Sequence, residues 1–260
     1  MGCSLQGKSA LALDAKARVE ELARTIGPSI YEYGLPDMLE DYMLFEFDWA
    51  PQQRGLERVL AEHGGELAQL LRAERSELSE QEFADALGTR VSFGPGDLAL
   101  IDSNGAILFD DVPEDVRAVL EFANVQLLEM RFLDRQLDSS LDQALEALGR
   151  REWRRLWMPS AFDHDLAHIS RLQVEAAILF ERVSNALKLL GDQYLARVYQ
   201  QASQRFRLSE WNAGILRKLD TLDGIYQKIQ DRADTRRMEF LEWIIIVLIL
   251  VSTVLPFVLE

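Results

Sequence analysis

Trp243–Leu259 reads WIIIVLILVSTVLPFVL and is followed by Glu260. Thirteen of these 17 residues are Ile, Val, Leu or Phe, and the others are Trp243, Ser252, Thr253 and Pro256. As a helix the stretch covers roughly 26 Å at about 1.5 Å per residue, close to the ~30 Å hydrocarbon thickness of a bilayer. Each Ile, Leu or Val favours insertion by roughly 0.3–0.6 kcal/mol, and no ionisable side chain opposes them. A core helix of this length would carry a polar stripe on one side, and none is visible. The stretch predicts a transmembrane helix, with the chain before it read as a body held by that helix.

The flanks set the orientation. Arg232, Arg236 and Arg237 precede the span and nothing basic follows it. The positive-inside rule then keeps the body in the cytosol, as a single-pass tail anchor of the inner (cytoplasmic) membrane. Arg236, Arg237, Leu241, Glu242 and Trp243 mark the expected membrane junction, and the bilayer is the first expected partner.

Upstream of the junction, Leu208, Trp211, Ile215, Leu219, Leu222, Tyr226, Ile229, Ala233 and Phe240 form a near-heptad seam with no proline in it. This predicts one rod of about 50 residues, some 75 Å long, running into the membrane. So long a seam needs cover from helices of its own chain or from other subunits, and a homo-oligomer is the expectation.

The 260-residue chain carries 43 acidic and 28 basic side chains, a formal net charge of −15. That balance argues against direct nucleic-acid binding through phosphates and against adsorption to anionic lipid. The single cysteine, Cys3, fits a reducing compartment. The N-terminus, MGCSLQGKSALALD, lacks the apolar core of a secretory signal, and Gln6 stands where a myristoylation site wants Ser or Thr.

Taken in order, the apolar run Ser9–Leu13 reads as a strand leading into a helix that Asp14 caps and Gly27-Pro28 stops. Ile30–Tyr33 and the aromatic Tyr42–Trp49 read as strands, and Gln52–Arg72 as a helix with Gly64-Gly65 as its weak point. Leu78–Leu87 is expected to be helical and Thr89–Phe93 extended. Leu98–Asp102 and Ala106–Phe109 read as a hairpin in which Asn104-Gly105 supplies a type I′ turn. Pro113-Glu114-Asp115 then opens a helix approaching 35 residues, whose stripe runs from Val116 to Leu148 with Asp134 on it. Further helices are expected from about Asp165 to Leu190 and over Asp192–Phe206. The basic, aromatic Arg150–Ser160 reads as a helix end packing its two tryptophans.

The expected fold class is therefore an α+β N-terminal domain (1–111), long antiparallel coiled-coil-like helices (112–241), and one C-terminal transmembrane helix (242–260). The expected function is a membrane-tethered oligomeric scaffold or interaction protein, without catalytic residues or a cofactor.

Two rival chemistries are visible. His164 and His168 stand four apart and could share a helical face as metal ligands of an enzyme. They lack the glutamate that a zinc hydrolase places after the first histidine, so a surface role is favoured. A cytosolic α/β domain, a long helix and a membrane segment are also similar to CorA-type magnesium transporters. Those have two spans joined at a Gly-Met-Asn motif, which this chain lacks, leaving Ser252 and Thr253 as its polar span residues.

The C-terminal 70 residues resemble the required-for-meiotic-nuclear-division family, also known under a sporulation-protein name. Tyr199, Asn212, Leu216, Leu219, Arg237, Leu241, Glu242 and Trp243 follow the family's order, and the junction Leu241-Glu242-Trp243-Ile244-Ile245-Ile246 is the most specific piece. The N-terminal half is similar only in its ALALD start and its aromatic strand, which lacks the family's glycine, as a divergent bacterial member would. The resemblance implies a single-pass membrane protein with a mostly helical body and no established catalytic residues. Eukaryotic members are mitochondrial inner-membrane proteins that support organelle translation, which makes translation machinery an expected partner.

Overall fold

The computed structural model describes residues 10–29, 38, 40–47, 55–149, 163–189 and 192–258. They form two compact units, Met1–Phe132 with Ile178–Asn212, and Leu133–Ala177 with Ala213–Glu260. The first is α+β and the second is helical. Both units are discontinuous in sequence, so the sheet-bearing one takes in the start of a long helix and a later short one.

The sheet of the first unit has β1 (Met43–Phe47), β2 (Arg90–Val91), β3 (Leu98–Ile101) and β4 (Gly105–Phe109), in the order β1-β4-β3-β2. β1 lies parallel to β4 with Met43 opposite Gly105, and the other pairings are antiparallel. Leu98, Leu100, Ile107 and Phe109 point to one face. There they meet Leu60, Leu67, Ala68 and Leu71 of α2 (Leu56–Arg72) and Ala86 of α3 (Glu80–Ala86). Full burial of such a side chain is worth roughly 1.5–3 kcal/mol, so this layer dominates the local stability. The alternate residues Ala99, Ile101, Ala106 and Leu108 are buried as well, and α6 (Gln193–Arg205) packs on β3 and β2. Cover on both faces explains why β3 and β4 read as continuous apolar runs rather than alternating ones.

The helix ends follow local chemistry. Ser79 accepts a hydrogen bond from the Glu82 backbone N–H at 3.2 Å, the N-cap half of an S-x-x-E box. Asp192 caps α6 through the Tyr194 N–H at 2.7 Å. α2 ends on Ala73, held in the left-handed region at φ 54°.

In the second unit, α4 (Glu114–Gly149), α5 (Asp163–Leu189) and α7 (Leu208–Val258) supply the core. Leu133, Leu137 and Ala144 of α4, Ile169, Leu172 and Ala176 of α5, and Ile215, Leu219, Leu222 and Tyr226 of α7 are buried there. α7 is one helix of 51 residues, as its uninterrupted seam predicts.

Several expectations need correction. The N-terminal apolar run is not a strand: α1 (Ala10–Ile26) already includes it, because alternating Ala and Leu are strong helix formers that extend the helical period backwards. Asp14 is consequently inside the helix, where it accepts from Arg18 at 2.9 Å instead of capping. Gly64-Gly65 does not break α2. The hairpin turns one residue earlier than expected. Ile101 pairs with Ala106 and the Asp102 N–H donates to the Gly105 carbonyl at 2.9 Å, leaving Ser103-Asn104 as the loop. The described non-glycine residues with positive φ are Ala73 and Arg207, so the turn is not type I′. Gly105 is needed for a different reason, since a Cβ there would lie 2.6 Å from the Met43 carbonyl oxygen of the parallel neighbour strand. Ile30–Tyr33 and Arg150–Ser160 lie outside the described residues. Among the described residues no helix is long and apolar enough to cross a membrane.

Candidate functional site: the apolar end of the long helix

α7 changes character along its length. Between Ile215 and Tyr226 it buries one stripe and exposes residues such as Arg217, Asp220 and Asp223 on the others. From Trp243 to Leu250 every side chain is apolar and every one is exposed, from 38% at Ile244 to 66% at Trp243. At about 100° per residue these positions circle the helix about twice, so every direction of this stretch presents an exposed apolar side chain. Met238, Phe240 and Leu241 extend the exposed apolar surface towards the body. Beyond Leu250 the described side chain is that of Ser252, whose hydroxyl donates to the Ile249 carbonyl at 3.2 Å. This contact gives the hydroxyl a partner within its own helix.

The other residues expected at the junction divide. Leu241, Glu242 and Trp243 are exposed on α7. The side chains of Arg236 and Arg237 lie outside the described residues, as do those of Ile229 and Thr253.

The expected stalk seam is used within the chain. Leu208 is buried in the first unit, and Ile215, Leu219, Leu222 and Tyr226 are buried in the second. Trp211 is half-buried, with the Arg131 guanidinium 5.7 Å from its ring centroid. One polar contact interrupts the apolar seam of the second unit. Lys218 places its Nζ 2.6 Å from Asp134 Oδ1 and 2.6 Å from Asp138 Oδ1, both on α4. Desolvation lowers the ammonium's pKa, but the hydrogen bonds and charge attraction of the two carboxylates together outweigh it and the net displacement is upward.

Sequence reasoning missed an ionic node in the first unit. Asp102, fully buried at the end of β3, lies between the last residues of two helices, Arg72 of α2 and Arg205 of α6. Arg205 Nε donates to Asp102 Oδ1 at 2.7 Å. Arg72 Nε is 2.9 Å from Asp102 Oδ2 but is not aligned for a hydrogen bond, so the pair is held by charge. Both arginines also grip Asp85 of α3. The hydrogen bond from Arg205, helped by Arg72, holds the Asp85 carboxyl below the usual range against the opposing effect of desolvation. The Tyr42 hydroxyl donates to the Asp102 carbonyl at 3.1 Å, and burial raises its pKa. Every charge in the node has an opposite partner, so its chemistry is that of a cross-brace.

A cavity of about 340 Å³ lies beside Phe93 and Tyr194, with Asp97, Asp110, Asp111 and Asp192 around it. Three of these four acids serve the backbone: Asp97 accepts from the Phe93 and Gly94 N–H groups, Asp110 from Val112, and Asp192 caps α6. His168 is exposed on α5, and the side chain of His164 is outside the described residues. Among the described residues no group of three His, Cys, Asp or Glu is placed to hold a metal ion.

Residues 4–115 match the family described as "Uncharacterized protein MJ0711, N-terminal domain". The match ends where α4 begins, so the sheet with α1 to α3 is the part that this family describes. A similar protein is "Uncharacterized protein MJ0711" of Methanocaldococcus jannaschii, 26% identical over 241 residues, covering 91% of this chain and 71% of that one. No solved structure matches. The resemblance to the meiotic-nuclear-division family is a separate matter on which these matches are silent, and what they show is that the chain is similar to this archaeal protein over its head, its bundle and most of its length.

Proposed function

We propose that the protein is a membrane-tethered scaffold, in which α7 carries an α+β and helical body and enters the bilayer near Trp243. The observation that carries this reading is the apolar circumference of α7 from Trp243 to Leu250, exposed at every position. In water that surface would be a large aggregation-prone patch, whereas in lipid it is matched on every side. The sequence continues it with Val251–Leu259, reaching the length of a span. Ser252 bonds within the helix, as a hydroxyl in hydrocarbon must. The arginines at 232, 236 and 237 favour a body that stays on the cytosolic side of an inner membrane. Ile215, Leu219, Leu222 and Tyr226 of the seam are buried by their own chain, which supports a tether that a single copy can form. A protein partner, translation machinery among them, would be recruited by the body.

Membrane fractionation with an alkaline carbonate wash tests the proposal. The full chain should stay in the pellet, and a variant lacking residues 243–260 should be soluble and folded. A full chain released by carbonate, or a truncated one that remains in the pellet, would overturn it.

A further inference from the structure

The apolar stretch of α7 is bounded by charge at both ends. Glu239 and Glu242, both exposed, precede it on the helix, and Glu260 follows it in the sequence. α7 is helical through Val258, so Ile244–Val258 covers about 23 Å beyond Trp243 at about 1.5 Å per residue. Leu259 adds at most about 3.5 Å before the carboxylate of Glu260. The apolar length is therefore about 26 Å, short of the ~30 Å core of an average bilayer and further short of the ~32–33 Å of thick ones. The helix has no way to make up the difference. Tilt accommodates a span that is too long, and it only shortens the projection of one that is too short. Drawing in Phe240 and Leu241 would bury Glu242 and bring Glu239 to the boundary. A glutamate lacks the long stem by which Lys or Arg keeps its charge in water. Headgroup charge does not compensate. From Asp231 to Glu242 three arginines stand against four acids, so the junction has no net attraction to anionic lipid.

We propose that α7 selects its lipid partner by thickness, favouring bilayers with a hydrocarbon core of about 26 Å or less over thicker ones, and that anionic headgroups do not enter the choice. This selection rests on the tether proposed above.

The test is a competition between two kinds of vesicle. The full chain is diluted from detergent into an equal mixture of preformed thin dimyristoleoyl- and thick dierucoyl-phosphatidylcholine vesicles, one kind loaded with sucrose so that density separates them. At least about threefold more chain is expected in the thin vesicles, whichever kind carries the sucrose. Replacing part of either lipid by the phosphatidylglycerol with the same chains should leave that ratio unchanged. Two variants lengthen the apolar run: Glu239→Leu with Glu242→Leu, and four leucines inserted after Leu250, about 6 Å of added helix. Each should lower the ratio at least about twofold. A ratio that follows phosphatidylglycerol, or one unchanged in either variant, overturns the proposal. Equal amounts of the parent in the two vesicles also overturn it while leaving the tether standing. Chain that enters neither kind counts against the tether itself, and the selection falls with it.

Discussion

Arg205, the last residue of α6, donates from Nε to Asp102 Oδ1 at 2.7 Å across 103 positions of sequence. Asp102 is fully buried, so this contact decides whether its charge is compensated. Removing one partner of a buried ion pair typically costs about 3–5 kcal/mol, because the remaining charge is stranded. Arg205→Met should therefore destabilise the sheet-bearing unit by about 3 kcal/mol, the lower end, since Arg72 remains 2.9 Å from Asp102. Arg72→Met should cost less, its contact with Asp102 not being aligned as a hydrogen bond. Urea unfolding of the two variants would show the order, and equal losses would contradict this account of the node.

The acid limb of stability should depend on Asp85. Its folded-state pKa is lowered, chiefly by the hydrogen bond from Arg205. Its contribution is present above the unfolded pKa of about 3.9 and is lost as pH falls below that value through the depressed one. Lys218 has the opposite sign. Its pKa is raised, so its contribution is complete below about 10.4 and is lost as pH climbs through the raised value. Unfolding free energies measured between pH 2 and 6 should fall less steeply in Asp85→Asn than in the parent. A parallel slope would mean that the carboxylate gains nothing from the arginines.

Adjacent glycines of α2 should respond differently. A Cβ on Gly65 meets nothing within 4 Å, while one on Gly64 meets the Phe83 ring at 3.2 Å. Gly65→Ala should stabilise by roughly 0.5–1 kcal/mol through helix propensity. Gly64→Ala should gain less or lose, because the ring must give way. Gly105→Ala should lose about 1–3 kcal/mol, since the obstacle is the Met43 backbone carbonyl at 2.6 Å. Thermal or urea denaturation gives the order Gly65→Ala above parent above Gly105→Ala.

Much of the helical architecture was legible in the sequence because it rests on a repeated local signal. The stripe from Leu208 to Tyr226 repeats every three or four residues, and α7 follows it without a break. The parallel pairing of β1 with β4 was not legible, since it joins Met43 to Gly105 through no local pattern. The hairpin was found but misplaced by one residue. Asn104-Gly105 carries a strong turn signal, yet the glycine is required by the close approach of β1. The Arg72–Asp102–Arg205 node was hidden for the same reason as the pairing: its members are unremarkable helix ends and a hairpin residue until the fold brings them together. The polar position on the α4 stripe, Asp134, could be seen in advance, but its partner Lys218 could not.

The central claim is that lipid surrounds α7 beyond Trp243, and accessibility scanning measures that directly. A nitroxide walked through positions 244 to 250 of the full chain, with Cys3→Ser and reconstituted in liposomes, reports collision with oxygen and with a water-soluble nickel complex. Lipid on all sides predicts high oxygen and low nickel accessibility at all seven positions, without periodicity. A dip every three to four residues would place a protein partner on one face, and high nickel accessibility would place the helix in water. Either pattern would contradict the tether.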